Sequence, residues 1–458
     1  MTPVDIGIYM NCLLILFVFL GVRVAFAAAL VGFLGLVILF SKQAGFEKGV
    51  EIAINIVGQI PHSKVTTYSL SIIPPFILIG YLAYYAGLTR YLFEAAKRWV
   101  GWLPGGLGVA TVFSTAGFAA VSGASIATSA VFARIAIPEM LKLGYDKRFA
   151  AGVVAAGGTL ASLIPPSAIL VIYAIIVEQS VGPLLLAGFV PGAVSALIYG
   201  GLVVLMATFN KKLGPPVGGF SWKQRFESLP GTFPIIFVVF IIIYSIYFGW
   251  ATPTEAGALG AFVILLMALW KGMRWKQLSS ALMETAKLTI MIFTIIWGVL
   301  IYVRFLGYAD LPGTVSSAIT SLEQSPWITL LFILAIYALL GMFMDAIGML
   351  LLTLPVVYPV VIALNGGIDV AAADSAFGMT GNQCAIWFGI IVVKMAELCL
   401  ITPPIGLNCF VVAGVRPDIS VQDVFRGATP FFIADVITIA VLLAFPGIVL
   451  WLPGLILK

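Results

Sequence analysis

Polar side chains are scarce in this chain, so the few that interrupt its apolar runs must carry whatever chemistry it performs. Ser122-Gly123-Ala124-Ser125 lies midway through the apolar run 105 to 138, and the region Gly341 to Gly348, with Asp345, lies midway through 326 to 361. Two other runs, 149 to 178 and 384 to 415, are interrupted by Pro165-Pro166 and Pro403-Pro404. A proline pair removes amide donors and clashes with the preceding turn, so ordinary helix stops there. In hydrocarbon, each carbonyl or amide freed at such a break or turn must find a substitute partner. A cation is one such partner for a carbonyl. Sodium is a hard ion served by oxygen, and freed carbonyls together with Ser122, Ser125, Thr159, Ser162 and Ser167 make a suitable donor set. The second-half counterparts are Asp345 near the turn and Thr402, Gly406 and Asn408 around the break. Sodium is expected near Ser122, Ser125, Asp345 and Thr402, with Gly123, Ala124, Pro165, Gly341 and Pro403 in the same turns and breaks. The competing reading is that Gly and Ser only let helices pack closely.

Ionisable residues inside a membrane are costly and need an explanation. Asp345, in Met-Phe-Met-Asp-Ala-Ile-Gly, is read as a site or gating residue. Lys394 and Glu397 stand at i and i+3 and are read as a structural ion pair. Arg134 is read as snorkelling to the inner surface, and Arg304, Glu178 and Asp435 as span-end residues. The single histidine, His62, reads as a loop residue, and Cys12, Cys384, Cys399 and Cys409 as packing residues without metal-ligand spacing. No His pair, phosphate-binding Gly loop or nucleophile beside a base is present, so no enzyme and no cofactor are expected.

The elements that must position these residues follow from composition. Of 458 residues, 62% are hydrophobic and 9% charged, against about 25% charged in a soluble domain. Apolar runs of about 17 to 25 residues match about 30 Å of hydrocarbon, which indicates an all-α polytopic membrane protein embedded in a lipid bilayer. The net charge of +5 comes from short basic clusters between apolar runs, which orient a membrane protein and give no support for nucleic-acid binding. The first stretch, Ile6 to Phe40, is too long for a signal-peptide core and is read as mature structure.

The interruptions recur in order. Gly80 pairs with Gly298 and Pro138 with Pro355, offsets of 218 and 217; Pro165 pairs with Pro403 and Pro191 with Pro430, offsets of 238 and 239. The jump falls in a polar, Gly-rich stretch, Asn365 to Gln383, which reads as an insertion. Each half is therefore expected to hold two helices, a charged amphipathic arm (42 to 67, 271 to 287), a helix, a re-entrant hairpin, a broken helix and a final helix. In residue ranges, 1–68 and 209–287 are scaffold helices and arms, while 69–208 and 288–458 hold the hairpins and broken helices. Arg90, Lys97 and Arg98 precede the first hairpin and Lys142, Lys147 and Arg148 follow it, which puts both loops in the cytoplasm. From Phe305 to Val393 there is no Lys or Arg, so the loops flanking the second hairpin, with Asp310, Glu323, Asp369 and Asp374, are expected outside. The same elements in opposite orientation form the inverted-repeat plan of secondary transporters. A channel or a membrane enzyme fits that plan less well than a transporter.

The motifs Ile73-Pro-Pro-Phe-Ile-Leu-Ile-Gly80, Ser122-Gly-Ala-Ser125, Ile137-Pro-Glu-Met140, Ile164-Pro-Pro-Ser-Ala168, Ala187-Gly-Phe-Val-Pro-Gly192, Gly341-Met-Phe-Met-Asp345 and Leu400-Ile-Thr-Pro-Pro-Ile-Gly-Leu-Asn408 run collinearly along nearly the whole chain. They resemble the large membrane subunit of tripartite ATP-independent periplasmic (TRAP) transporters. Ala124 stands where a serine is common, and Ala371 to Cys384 is inserted relative to the usual spacing. The resemblance implies a sodium-coupled importer of organic acids in the bacterial inner membrane. It further implies an elevator mechanism, a periplasmic substrate-binding protein, a separate small membrane subunit of about four helices, and sodium at the hairpin tips and helix breaks. The alternative is an ion-coupled organic-anion transporter that needs no binding protein.

Overall fold

The computed structural model describes residues 2–65, 68–321 and 324–455, apart from the side chains of 62–65, 69 and 320. Glu323 lies outside the described residues. Every regular element among those described is helical. The first half runs α1 (Pro3–Phe19), α2 (Val24–Ala44), α3 (Phe46–Val65), α4 (Ile73–Tyr85), α5 (Leu88–Val100), α6 (Gly106–Ser122), α7 (Ser125–Lys142), α8 (Lys147–Thr159), α9 (Ala168–Ile176) and α10 (Val181–Phe209). After a short linker helix, α11 (Trp222–Ser228), come α12 (Phe233–Tyr247), α13 (Pro253–Trp270), α14 (Trp275–Tyr308), α15 (Leu311–Thr320), α16 (Pro326–Gly341), α17 (Ala346–Asn365), α18 (Gly381–Cys399), α19 (Leu407–Val415), α20 (Val421–Ala444) and α21 (Gly447–Gly454).

Seven of the described helices are by themselves long and apolar enough to cross a membrane. The number rises to nine if two sharply bent pairs, Leu70–Tyr85 with α5 and α11 with α12, each count as one span. Large apolar side chains such as Phe26, Leu205, Phe240, Phe262, Ile290 and Phe332 are exposed around the outside. On a soluble protein such a belt would be an aggregation hazard, but lipid tails match it. At the centre lies α18, whose residues from Cys384 to Cys399 are all buried.

Packing partners exchange between the halves. Helix α2 packs along α14 while α13 packs along α4; α7 meets α19 while α17 meets α9; α8 lies on α20 while α18 lies against α10. Close approach requires small residues: a Cβ on Gly152 of α8 would overlap the backbone of Gly427 on α20.

Several boundaries differ from those expected. Residues 88–100, read as a loop, form the amphipathic helix α5, which buries Leu88, Phe93 and Ala95. Its Lys97 reaches Glu94 at 3.8 Å and Glu139 at 3.6 Å. Its charges hide the helix from a hydropathy reading because the apolar residues occupy only one face. The hairpin arms continue through Pro138 and Pro355 to Lys142 and Asn365 instead of stopping near 138 and 361. The arm and span read as separate at 271 to 304 form the single 34-residue helix α14. The C-terminal run 430 to 452 divides into α20, which starts nine residues earlier at Val421, and α21. His62, read as a loop residue, lies in α3. The Asn365 to Gln383 stretch is pinned by buried Asn365, whose Nδ2 donates to the Met379 carbonyl at 3.0 Å, and by Phe377, which packs between Trp327 and Trp387.

Gly152→Val should separate α8 from α20 and cost on the order of 1–3 kcal/mol, as overpacked cores do. Thermal unfolding in detergent should show this as a lowered midpoint. Gly201→Val is the control, because a Cβ there meets nothing within 4 Å; equal midpoints would mean that α8 and α20 are not in close contact.

Candidate functional site

In the first half, the turn between α6 and α7 sits on the break between α8 and α9. Gly123 takes φ +59°, and a Cβ there would overlap the Pro166 carbonyl oxygen. Glycine thus meets both the left-handed backbone and the close approach. Ser125 Oγ and Ser162 Oγ are hydrogen-bonded, which ties tip to break. Ser122 Oγ lies 2.9 Å from Thr128 Oγ1, which also donates to the Ala124 carbonyl at 3.0 Å. Helix α8 ends in a 3-10 turn, Leu160–Ser162, and the Pro165-Pro166 peptide is cis. Ser167 then caps α9, accepting from the Leu170 amide at 3.2 Å and donating to the Ser162 carbonyl. Ser122, Ser125, Ser162 and Ser167 are all buried.

The second half repeats this contact with other side chains. A Cβ on Gly341 would overlap Cys399 Sγ at the end of α18, and the Met342 carbonyl accepts from the Ile405 amide at 3.4 Å. Asp345 caps α17, its Oδ2 accepting from the Gly348 amide at 3.0 Å. Thr402 Oγ1 donates to the Leu398 carbonyl at 2.6 Å, beside the cis Pro403-Pro404 bond, and Gly406 precedes α19 with φ +41°.

The expected site residues do not all converge. Ser122, Gly123, Ala124, Ser125, Ser162, Pro165 and Ser167 belong to one tip-and-break cluster. Thr159 turns away from it: its Oγ1 donates to the Ala156 carbonyl at 2.7 Å and lies 3.4 Å from Tyr199 OH. Asn408 reaches across to the other half, Nδ2 donating to the Ala155 carbonyl on α8 at 3.2 Å. Among the described residues no hydrogen bond joins Asp345 to Thr402, Gly406 or Asn408. No three His, Cys, Asp or Glu side chains among them form a metal-binding group. The tips and breaks therefore offer carbonyls, hydroxyls and the single carboxylate of Asp345, a donor set for a hard monovalent cation.

Asp435 does not lie at a span end. Read as a span-end residue, it stands in the middle of α20 and is 0% exposed, because α20 begins at Val421. Lys394 Nζ lies 2.7 Å from both Glu397 Oε2 and Asp435 Oδ1, and Tyr199 OH donates to the same Asp435 oxygen at 2.6 Å. All four side chains are fully buried. The i, i+3 pair was legible in the sequence; the third charge was not, although an aspartate flanked by Phe432, Ile433, Val436 and Ile437 was the available signal.

A cavity of about 260 Å³ opens beside the first tip. One wall is the α4 face of Ile77, Gly80, Tyr81, Tyr84 and Tyr85; the other is the α7 face of Ala124, Ala127, Ala130, Val131 and Arg134, with Ser122 at the tip. Arg134, read as snorkelling to the inner surface, is exposed; it also lines this cavity and donates to Tyr84 OH at 3.4 Å.

Helical hairpins closing on mid-chain helix breaks, inside a belt of exposed apolar side chains, define a membrane transport protein. The architecture is shared with the solved structure of the YdaH transporter of Alcanivorax borkumensis, at a TM-score of 0.59 over 87% of this chain and 89% of that one, with 11% identity. Residues 12–448 match the family described as Tripartite ATP-independent periplasmic transporter, DctM component. The C4-dicarboxylate TRAP transporter large permease protein DctM of Pseudomonas aeruginosa is 35% identical over 84% of this chain and 86% of its own length. The sialic acid TRAP transporter large permease protein SiaM of Vibrio cholerae is 29% identical over 88% and 90%. The chain belongs to the DctM family of TRAP transporter large permeases. It is a multi-pass inner-membrane transport protein rather than an enzyme.

Removing Lys394 leaves both buried carboxylates without an ionic partner, and breaking a buried pair in this way typically costs about 3–5 kcal/mol. Lys394→Met should therefore lower the thermal unfolding midpoint sharply, while Lys287→Met, on the exposed Lys287–Glu284 pair, should leave it nearly unchanged. Equal midpoints for the two variants would mean that the buried charges are not coupled.

Proposed function

We propose that this chain imports a small organic acid of the carboxylate class together with sodium ions. The observation that carries the reading is the doubled tip-on-break contact, Gly123 on Pro166 and Gly341 on Cys399, in a chain of this family. Each contact gathers carbonyls that have lost helical donors, and hydroxyls, around a point where α-helix stops. An ion held there would help hold tip and break together, so that cation binding shapes the adjoining substrate space. Ser122, Ser125 and Ser162 with the neighbouring carbonyls form the first sodium site; Asp345, Thr402 and the carbonyls around Pro403 form the second. The relatives are named for C4-dicarboxylates and sialic acid, both carboxylic acids, which supports the substrate class.

The moving unit is taken to be the hairpins, broken helices, α10 and α20. Its internal ties are the Lys394–Glu397–Asp435 network, the Gly152–Gly427 approach and the Asn408–Ala155 hydrogen bond, which favour movement as one body. The α2–α14 and α13–α4 pairs offer the stationary surface, and a small membrane subunit of about four helices widens it. The substrate arrives from a periplasmic binding protein, which docks on the acidic outer loops bearing Asp310, Asp369 and Asp374.

In proteoliposomes containing the small subunit and supplied with the binding protein, uptake should require an inward sodium gradient. Equal uptake on potassium or a proton gradient alone would overturn the ion assignment. Ser122→Ala and Asp345→Ala should each weaken apparent sodium affinity about tenfold, corresponding to about 1.4 kcal/mol, without loss of folded protein. Full sodium-driven uptake by the isolated chain would favour the self-sufficient transporter instead.

The same reading places the two halves in opposite orientation. Cysteine at position 374 should react with an impermeant reagent from the periplasm, and cysteine at position 147 only from the cytoplasm. Labelling from one side would end the inverted arrangement.

A further inference from the structure

Arg134 is the one charged side chain that lines the cavity without an ionic partner. Among the described residues no carboxylate lies within salt-bridge distance of it, and its hydrogen bond to Tyr84 OH is long, at 3.4 Å. Glu284, across the cavity, has its own partner in Lys287 at 3.2 Å. An arginine in a membrane segment pairs with an anion, faces a water-filled cavity or snorkels to the interface. Arg134 is exposed where it lines the cavity, so an anion that enters the cavity can reach the guanidinium. Its position on α7 is nine residues beyond Ser125, about 13 Å along the axis at 1.5 Å per residue. Between the two lies a face of Ala127, Ala130 and Val131, short side chains that leave a smooth floor, opposite the Tyr81, Tyr84 and Tyr85 wall. The cavity therefore joins hydroxyl and backbone donors at the tip to a planar, two-pronged cation farther down the same helix.

We propose that Arg134, positioned with Tyr84, is a carboxylate-binding station between the α6–α7 tip and the cytoplasmic mouth of the cavity. It takes the acid group of the substrate as that group leaves the tip. The guanidinium fork accepts a carboxylate bidentately, a geometry that lysine reproduces only as a point charge. This inference rests on the reading of the chain as an importer of carboxylates.

The test uses the complex with its small subunit. Cys12, the exposed cysteine, is replaced by Ser, and Ala130→Cys places a thiol on the cavity floor. Maleimide labelling of that thiol is followed with succinate, with sialic acid, and with dimethyl succinate as an uncharged control. At least one acid should slow labelling several-fold and the diester should not. Arg134→Gln should abolish the protection, and Arg134→Lys should retain part of it. In uptake assays Arg134→Gln should raise KM about tenfold or more, as expected for losing a charge-assisted contact. The protection that sodium gives against thermal unfolding should be unchanged in that variant. Equal protection in Arg134→Gln and its parent, or no protection by either acid in the parent, overturns the station. Normal sodium-driven uptake with an unchanged KM in Arg134→Gln overturns the station and leaves the import reading standing. Failure of the unaltered complex to take up either acid removes the import reading and the station with it.

Discussion

A peptide group inside hydrocarbon has no water to turn to, and each one left unpaired costs several kcal/mol. This chain stops four helices where that penalty applies, at two tips and two Pro-Pro breaks. It meets the penalty by placing each tip against a break. Ser125 Oγ is hydrogen-bonded to Ser162 Oγ across the first contact, the Ile405 amide donates to the Met342 carbonyl across the second, and within the first break Ser167 Oγ donates to the Ser162 carbonyl and accepts from the Leu170 amide. Glycine at 123 and 341 follows from this arrangement, since any side chain there would hold the two elements apart. So does the scarcity of bulky residues along Ser122 to Ser125, which lie against the break.

The same economy governs charge. Lys394, Glu397 and Asp435 come from two helices, with the Tyr199 hydroxyl supplied by a third, and they meet where solvent is excluded. One ammonium serves two carboxylates, and the tyrosine supplies a further donor to the shared Asp435 oxygen. Such networks are weak evidence for net stability, because replacing the whole set with apolar side chains is often neutral. Their effect here is one of register: α10, α18 and α20 can pack in only one relative position without stranding a charge. Lys394 also lies 5.3 Å over the Tyr199 ring, so a sliding displacement would disturb both contacts together.

What could be read from the sequence was whatever one stretch of chain determines. A Pro-Pro pair stops a helix wherever it falls, so both breaks were legible, and Ser-Gly-Ala-Ser or Gly-to-Asp in mid-run marked both tips. Helix α5 was missed because it is stabilised by laying one face on α6, a tertiary property that Arg90, Lys97 and Arg98 conceal in a hydropathy profile. Asp435 reads as a span-end residue only if the span begins at Pro430, whereas α20 runs through Pro430 from Val421, as membrane helices often do. Thr159 and Asn408 stand close in sequence to the breaks, but sequence distance does not fix which way a side chain points. The Thr159 hydroxyl faces Tyr199, 40 residues on in the same half, and the Asn408 amide nitrogen reaches Ala155 in the other half, contacts that no single stretch of sequence determines.

The exchange of partners between the halves also bears on how the protein is made. Helix α4 emerges from the ribosome about 180 residues before α13, against which it packs. Helix α2 waits longer still for α14. By the end of that interval the first half has every one of its helices yet lacks the surfaces that α2 and α4 pack against. Lipid must occupy those faces until the second half is inserted and displaces it. Each half packs along the other through several helix pairs, so cleavage between Phe209 and Phe233 would leave two fragments, each presenting to the bilayer the interface meant for the other.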